Sequence, residues 1–191
     1  MTTISDLQSP AFVVNRSLMR RNCKVVGKEA VRCGFSLRPH VKTHKTIEGA
    51  KIQIKEAIEA GANVTGFVAS TIPEVRMLAS FVQQEQNIRK IKALSILYGV
   101  PIAEFRLKAL RKIGNKYPEV EIFLLVDHPE QVLFLHETFH EASMSKPFSV
   151  FMKVDTGYNR AGIPPDERGI ALAKMIHDLT GVRLVGIYSH W

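Results

Sequence analysis

The chain has 191 residues, 46% of them hydrophobic and 23% charged, which is enough apolar material for a sizeable core and too much for a disordered chain. A formal charge of +8 comes from Lys and Arg dispersed along the sequence rather than clustered with aromatics, so nucleic-acid binding is not expected; an anionic small ligand accounts for the excess equally well. No apolar run approaches the roughly 20 residues that span a bilayer, and the N-terminus MTTISDLQSP lacks the basic and apolar regions of a secretory signal. A cytoplasmic protein without membrane contact is the expectation.

Apolar runs alternate with helical periodicity from end to end, the rhythm of βα units around a parallel sheet. In chain order, Phe12 to Asn15 reads as a short first strand. The helix predicted next holds Cys23 and Cys33, which ten residues of helical rise separate by about 15 Å, beyond disulfide reach. Both read as reduced, structural thiols. The further predicted strands are Ser36 to Lys42, Val64 to Ser70, Ala93 to Tyr98, Glu121 to Val126, Ser149 to Asp155 and Arg183 to His190.

Between these runs the spacing is near 3.6. Ile102, Phe105, Ala109, Leu110 and Ile113 form one apolar stripe, so each helix is expected to pack on the outside of the sheet. Two helix starts repeat one device: Thr71-Ile72-Pro73-Glu74 and Asp127-His128-Pro129-Glu130 each offer a capping oxygen, an early proline and a glutamate three residues on. No linker or repeat interrupts the pattern, so residues 1–191 read as one domain. Six full strands after the short first one are too few to close an eight-stranded (β/α)8 TIM-type barrel of about 250 residues, so a barrel would be incomplete in this chain. An open doubly wound sheet needs no further strands and is the alternative.

The densest set of chemically capable residues is Arg38-Pro39-His40-Val41-Lys42-Thr43-His44-Lys45-Thr46, at a predicted strand end. Strand alternation would aim His40, Lys42 and His44 at one face, with Val41 and Thr43 on the other. Ligands of parallel α/β proteins sit at the C-terminal ends of strands. A Schiff-base lysine must spend part of its time as an amine, which burial and a neighbouring cation such as Lys45 favour, and this makes Lys42 the nucleophile candidate. The same cations also fit an exposed basic strand end. A third reading takes His40, His44 and His190 as ligands of a metal-dependent barrel hydrolase, although no companion Asp or Cys has convincing spacing.

The segment Met152-Lys153-Val154-Asp155-Thr156-Gly157-Tyr158-Asn159-Arg160-Ala161-Gly162 runs off a strand into a turn with two glycines. Backbone can approach a ligand there, with Asn159 and Arg160 presenting polar groups; alternatively Asp155 and Thr156 only cap the turn. Gly186-Ile187-Tyr188-Ser189-His190-Trp191 is another strand end with an imidazole. His136 and His140 share a helical face and read as surface residues outside the sheet.

The string RPHVKTHKTIEGA, with SPAFVV before it and MKVDTGYNRAG and LVGIYSHW after it in order, resembles the eukaryotic-type D-serine dehydratases and D-threonine aldolases, relatives of alanine racemase within the fold-type III pyridoxal-phosphate enzymes. The resemblance implies a barrel of the alanine racemase N-terminal kind, with a C-terminal β-domain absent from this chain. It implies that Lys42 carries pyridoxal 5'-phosphate and acts as base, that His190 lies against the cofactor ring, and that Arg160 is close to the ring's oxygen-bearing side. Asn159 and His40 belong to the same cofactor site. Lys153 stands where some alanine racemases carry a carbamylated lysine, a modification not carried over. The family's phosphate-binding loop and the ligands of its zinc or other divalent metal lie in parts not present here, so no metal ligand is assigned; full-length relatives are expected to be homodimers.

On this resemblance the chain is expected to be part of a lyase acting on a D-amino acid. D-serine would give pyruvate and ammonia; the alternative, D-threonine, would give glycine and acetaldehyde. Tyr188-Ser189-His190 is closer to the dehydratase form, which brackets one small residue, than to the aldolase form with glycine before the histidine. A non-catalytic protein that binds pyridoxal phosphate is a further alternative, against which the RPHVKTHK motif argues.

Overall fold

A computed structural model describes residues 3–89 and 94–190. Two compact units divide the chain: Met1–Leu37 with Glu48–Val64, and Arg38–Ile47 with Thr65–Trp191. In the first, helix α1 (Arg16–Cys33) starts at Asn15, whose side chain accepts the Leu18 N–H at 2.9 Å, and ends at Gly34 in the left-handed conformation. Helix α2 (Ile47–Glu59) packs against α1 closely enough that a Cβ on Gly27 would lie 2.9 Å from that of Ala60. Cys23 and Cys33 do share α1, as expected, and Cys33 is exposed.

The second unit holds a five-stranded parallel sheet in sequential order: β1 (Gly66–Ala69), β2 (Ser95–Pro101), β3 (Ile122–Val126), β4 (Phe148–Val154) and β5 (Val182–Ser189). Helices α3 (Ile72–Arg89), α4 (Glu104–Lys116), α5 (Pro129–Glu141) and α6 (Glu167–Asp178) make the crossovers. Sequential order with a helix after each strand is barrel topology, whereas a doubly wound sheet reverses its order at a switch point. The barrel is incomplete in this chain.

Residues alternate between two faces. Leu124, Val150 and Ile96 are buried on the helix side, while Val68, Leu97, Phe123 and Leu125 form a cluster on the other, with Phe151, Val185 and Tyr188 against it. Phe123 and Phe151 meet edge-on at 5.4 Å within that inner layer.

Two predicted strands are not formed. Phe12 to Asn15 has no ladder partner, and Phe12 is 75% exposed. Four apolar-rich residues do not make a strand without a neighbour to satisfy their backbone. Ser36 to Lys42 contributes only single bridges, Leu37 to Val64 and His40 to Val68, and turns after Val41. Expected alternation therefore stops there: Val41 is fully buried, Lys42 and Thr43 are both exposed, and Lys45 has φ 53°. The β1, β3, β4 and β5 spans agree with the sequence reading to within two residues at most ends, and Ala93 lies outside the described residues.

The helix starts follow the expected chemistry with one correction. Thr71 Oγ1 accepts the Glu74 N–H at 3.3 Å, and Glu74 Oε2 accepts the Ser70 N–H at 2.8 Å. At α5 the cap is His128 rather than Asp127, and the reciprocal partner is Gln131, whose Oε1 accepts the Asp127 and His128 amides at 2.7 and 3.2 Å. Proline at the first helical position sets the register one residue later than the sequence reading placed it.

Candidate active site

The C-terminal ends of the strands gather His40, Lys42, Lys153, Arg160 and His190. His40 sits on the bridge to Val68 with its ring inside the sheet; Nδ1 accepts the Lys42 N–H at 3.2 Å and Nε2 lies 3.2 Å from Ser70 Oγ. Burial holds its pKa below the usual histidine value, helped by the Lys42 and His190 charges and opposed by Glu74. Lys42 is exposed, so the burial expected from the sequence is not met: buried Val41 anchors the turn and leaves Lys42 on its open side. Lys45, expected to act beside Lys42, pairs instead with Glu74 Oε1 at 3.9 Å.

Lys153 is 4% exposed on the inner face, paired in register with Tyr188. Burial and the nearby Arg160 hold its pKa below the usual lysine range, against the pull of Asp127 and Asp155. The loop after β4 closes on itself: Asp155 N donates to Ile163 O at 2.9 Å and Ile163 N to Lys153 O at 2.9 Å. Asp155 Oδ1 accepts the Gly157 and Asn159 amides at 3.0 and 3.1 Å, bonds that keep its carboxyl below the usual range. Asn159, at φ 56°, donates its side-chain amide to Gly157 O at 3.0 Å, so this amide is committed to the turn. Gly162 is required where the loop returns, since a Cβ there would lie 2.5 Å from Asp155 N.

That turn presents a stack. The Arg160 guanidinium lies over the Tyr158 ring at 5.0 Å, and the Tyr158 ring meets His190 edge-on at 5.3 Å. His190 has a pKa below the usual value, from burial and then from Arg160, Lys42 and Lys153. Three cations thus bear on one imidazole at the mouth of the sheet. Asn159 and Arg160 adjoin the site at its rim, and His40, Lys42 and His190 share it.

His44 turns its Nδ1 to the Thr46 N–H at 3.2 Å, and among the described residues no group of three His, Cys, Asp or Glu converges as metal ligands. The geometry gives the metal-hydrolase reading no support. His136 and His140 lie on α5, with rings 4.5 Å apart and bonded to the segment before β5 through Gly181 N and Thr180 Oγ1.

Residues 14–191 match the family described as alanine racemase, N-terminal domain. The chain belongs to that family. Among relatives of the alanine racemase N-terminal family, it is 31% identical to the D-serine dehydratase of Schizosaccharomyces pombe over 191 residues, covering 98% of this chain and 43% of that protein. The structure of D-threo-3-hydroxyaspartate dehydratase from Delftia sp. HT23 superposes with a TM-score of 0.73 at 28% identity, over 96% of this chain and 44% of that one. D-threonine aldolase from Filomicrobium marinum superposes with a TM-score of 0.74 at 22% identity, over 96% and 44%, a likeness of fold. The chain thus spans less than half the length of the relatives it matches. No helix among the described residues is long and apolar enough to cross a membrane.

Two residues that adjoin the site, Glu74 and Tyr158, carry no site role in the sequence reading, and one residue of the motif lies elsewhere. Arg38, inside the recognisable motif, points to the opposite end of the sheet, where its Nη1 donates to Ser95 Oγ at 2.8 Å. Glu74 was read only as a helix cap, and Tyr158 only as part of a turn. For Glu74, the clue was a capping glutamate directly after a strand that borders the lysine motif.

Proposed function

We propose that this chain is the lysine-bearing part of a pyridoxal-phosphate-dependent lyase of the cytoplasm that acts on a D-amino acid, with D-serine converted to pyruvate and ammonia. The observation that carries the reading is convergence: an exposed lysine amine at the C-terminal end of a parallel sheet, with a depressed-pKa histidine and an arginine beside it. The D-serine dehydratase of Schizosaccharomyces pombe, similar along 98% of this chain, supports the reading.

The residues present fit part of the cofactor. An accessible amine can join its aldehyde, a neutral imidazole offers a flat face to its ring, and a guanidinium suits its phenolic oxygen. Pyridoxal 5'-phosphate, when bound, supplies an electron sink for charge released at the substrate α-carbon.

Lys42 Nζ would hold the cofactor, and its amine is the base that would take the α-proton of the substrate. His190, whose pKa is held below the usual histidine value by burial and then by Arg160, Lys42 and Lys153, would lie against one side of the ring. Arg160 is aimed by the Asp155 turn, with Asn159 locking that turn through Gly157. His40 contributes from beneath Lys42. The divalent metal implied by the resemblance has no ligand set among the described residues, so the chemistry assigned to this chain is that of its own amine, imidazole and guanidinium. We place the full-length protein as a homodimer.

Borohydride reduction in the presence of pyridoxal phosphate, followed by peptide mapping, is expected to fix the cofactor on Lys42 and not in Lys42→Ala. Equal fixation in both proteins would end the assignment. With the full-length protein, pyruvate from D-serine supports dehydration, whereas glycine and acetaldehyde from D-threonine would redirect the proposal to aldol cleavage.

A further inference from the structure

We propose that His40 is the positioning residue of Lys42: its imidazole, held in one neutral tautomer between Ser70 and the Lys42 amide, fixes the backbone from which the Lys42 amine projects. The inference rests on the reading of Lys42 given above and adds the reason why that lysine has a defined direction although it is exposed.

Only one tautomer satisfies both contacts. The Lys42 N–H has no lone pair, so Nδ1, at 3.2 Å from it, must be the unprotonated nitrogen. The ring proton then sits on Nε2 and is donated to Ser70 Oγ at 3.2 Å. Ser70 is itself held, because its N–H donates at 2.8 Å to Glu74, a carboxylate only 4% exposed that also meets Lys45. Val41, fully buried, accepts the His44 and Lys45 amides at 3.2 and 2.8 Å, so the turn is tied on both sides of Lys42.

The groups facing His40 are Lys42 from its own turn, Glu74 from α3, His190 from the end of β5 and the Val68 backbone. Burial, Lys42 and His190 favour the neutral ring, and Glu74 and a hydrogen bond to the Val68 backbone oppose them. A second ring proton would set N–H against N–H at Lys42 and turn the acceptor into a donor. The turn is then released as pH falls. His44 makes the same type of bond, to Thr46 N at 3.2 Å, and serves as an internal control.

The test is NMR of the chain with 15N-labelled histidine, joined to amide exchange at Lys42. The expected result is Nδ1 unprotonated and Nε2 protonated at pH 7, with a His40 midpoint below that of an ordinary histidine. His40→Gln should speed Lys42 amide exchange by roughly tenfold. His40→Asn, whose amide oxygen takes the place of Nδ1, should return it to within about twofold, and His44→Gln should leave it unchanged. A proton on Nδ1 at pH 7, or Lys42 exchange indifferent to His40→Gln, overturns the proposal. If His40→Gln fails to fold, the tautomer in the unaltered protein decides alone. None of these readouts involves the cofactor: were they met while Lys42 refused pyridoxal phosphate, the positioning role would stand and the reading of Lys42 would fall.

Discussion

The two ends of the sheet carry similar polar residues and treat them in opposite ways. At the N-terminal end, Arg38 donates to Ser95; Arg183 donates to Ser149 at 2.7 Å and to Glu121 at 3.0 Å, and Ser149 donates to Glu121 at 3.0 Å. Arg38 also lies over the Phe123 ring at 5.3 Å, and Glu121 offsets part of the burial that lowers its pKa. At the C-terminal end, Lys42, Lys153 and Arg160 have no ion pair among the described residues, and the Lys153 and His190 pKa values are depressed. Polar groups that satisfy one another stabilise a fold; groups left short of partners are available to a ligand.

The contrast predicts that substitutions that crowd the base or unpair its part-buried groups lower stability more than substitutions at the rim. The largest effect should come from Gly66→Ala. Gly66 has φ 151°, and a Cβ there would overlap the Ser95 carbonyl and approach Arg38 Nη1 at 2.7 Å. Strain and overpacking together should cost about 3 kcal/mol or more, read as a lower urea midpoint. A Gly66→Ala protein as stable as the parent would remove the base layer from the argument.

Ser95→Ala comes next. It deletes the hydroxyl that accepts from Arg38 and leaves the part-buried guanidinium with a long hydrogen bond to Ser95 O at 3.4 Å and its place over the Phe123 ring, at a cost of about 1–3 kcal/mol by chemical denaturation.

Lys153→Met at the rim should stay within about 1 kcal/mol of the parent at pH 7, because a long apolar chain replaces one whose charged end is disfavoured by burial. The sign follows from linkage. With a folded pKa below the unfolded one, the unfolded chain binds the Lys153 proton more tightly, so parent stability rises as pH climbs through the folded pKa toward the ordinary lysine value. The variant should lose that rise in a pH series of thermal melts.

The same linkage applies to His40 and His190. Both lie below the ordinary histidine value of about 6.5, so stability should be fully present above that pH and fall as pH drops through their folded values. A flat melting temperature between pH 7.5 and pH 5 would contradict this.

The smallest change is expected for Glu121→Gln, below about 1 kcal/mol, since the Arg183 pair is half exposed and screened, and a glutamine oxygen can still accept from Ser149.

Much of this molecule was legible in the sequence where the cause is local. Helical stripes, the Thr71 helix start, and the β3 and β4 strands depend on neighbours within a few residues, and the structure keeps them; the second helix start is kept one residue later, at His128. Phe12 to Asn15 and Ser36 to Lys42 failed as strands because a strand depends on a partner that no local pattern supplies. Likewise, alternation around Lys42 predicted a shared face for His40, Lys42 and His44, but the chain turns at buried Val41.

The sequence alone determined the family and the βα rhythm, because both are written in residue order. Tertiary structure alone decided which polar groups meet. It sent Arg38 to the base and His40 to the rim from positions two apart, gave Lys45 to Glu74, and stacked Arg160, Tyr158 and His190. Arg38 and Ser95 alone are 57 positions apart, and the energies of such pairings depend on burial and distance, which residue order does not encode.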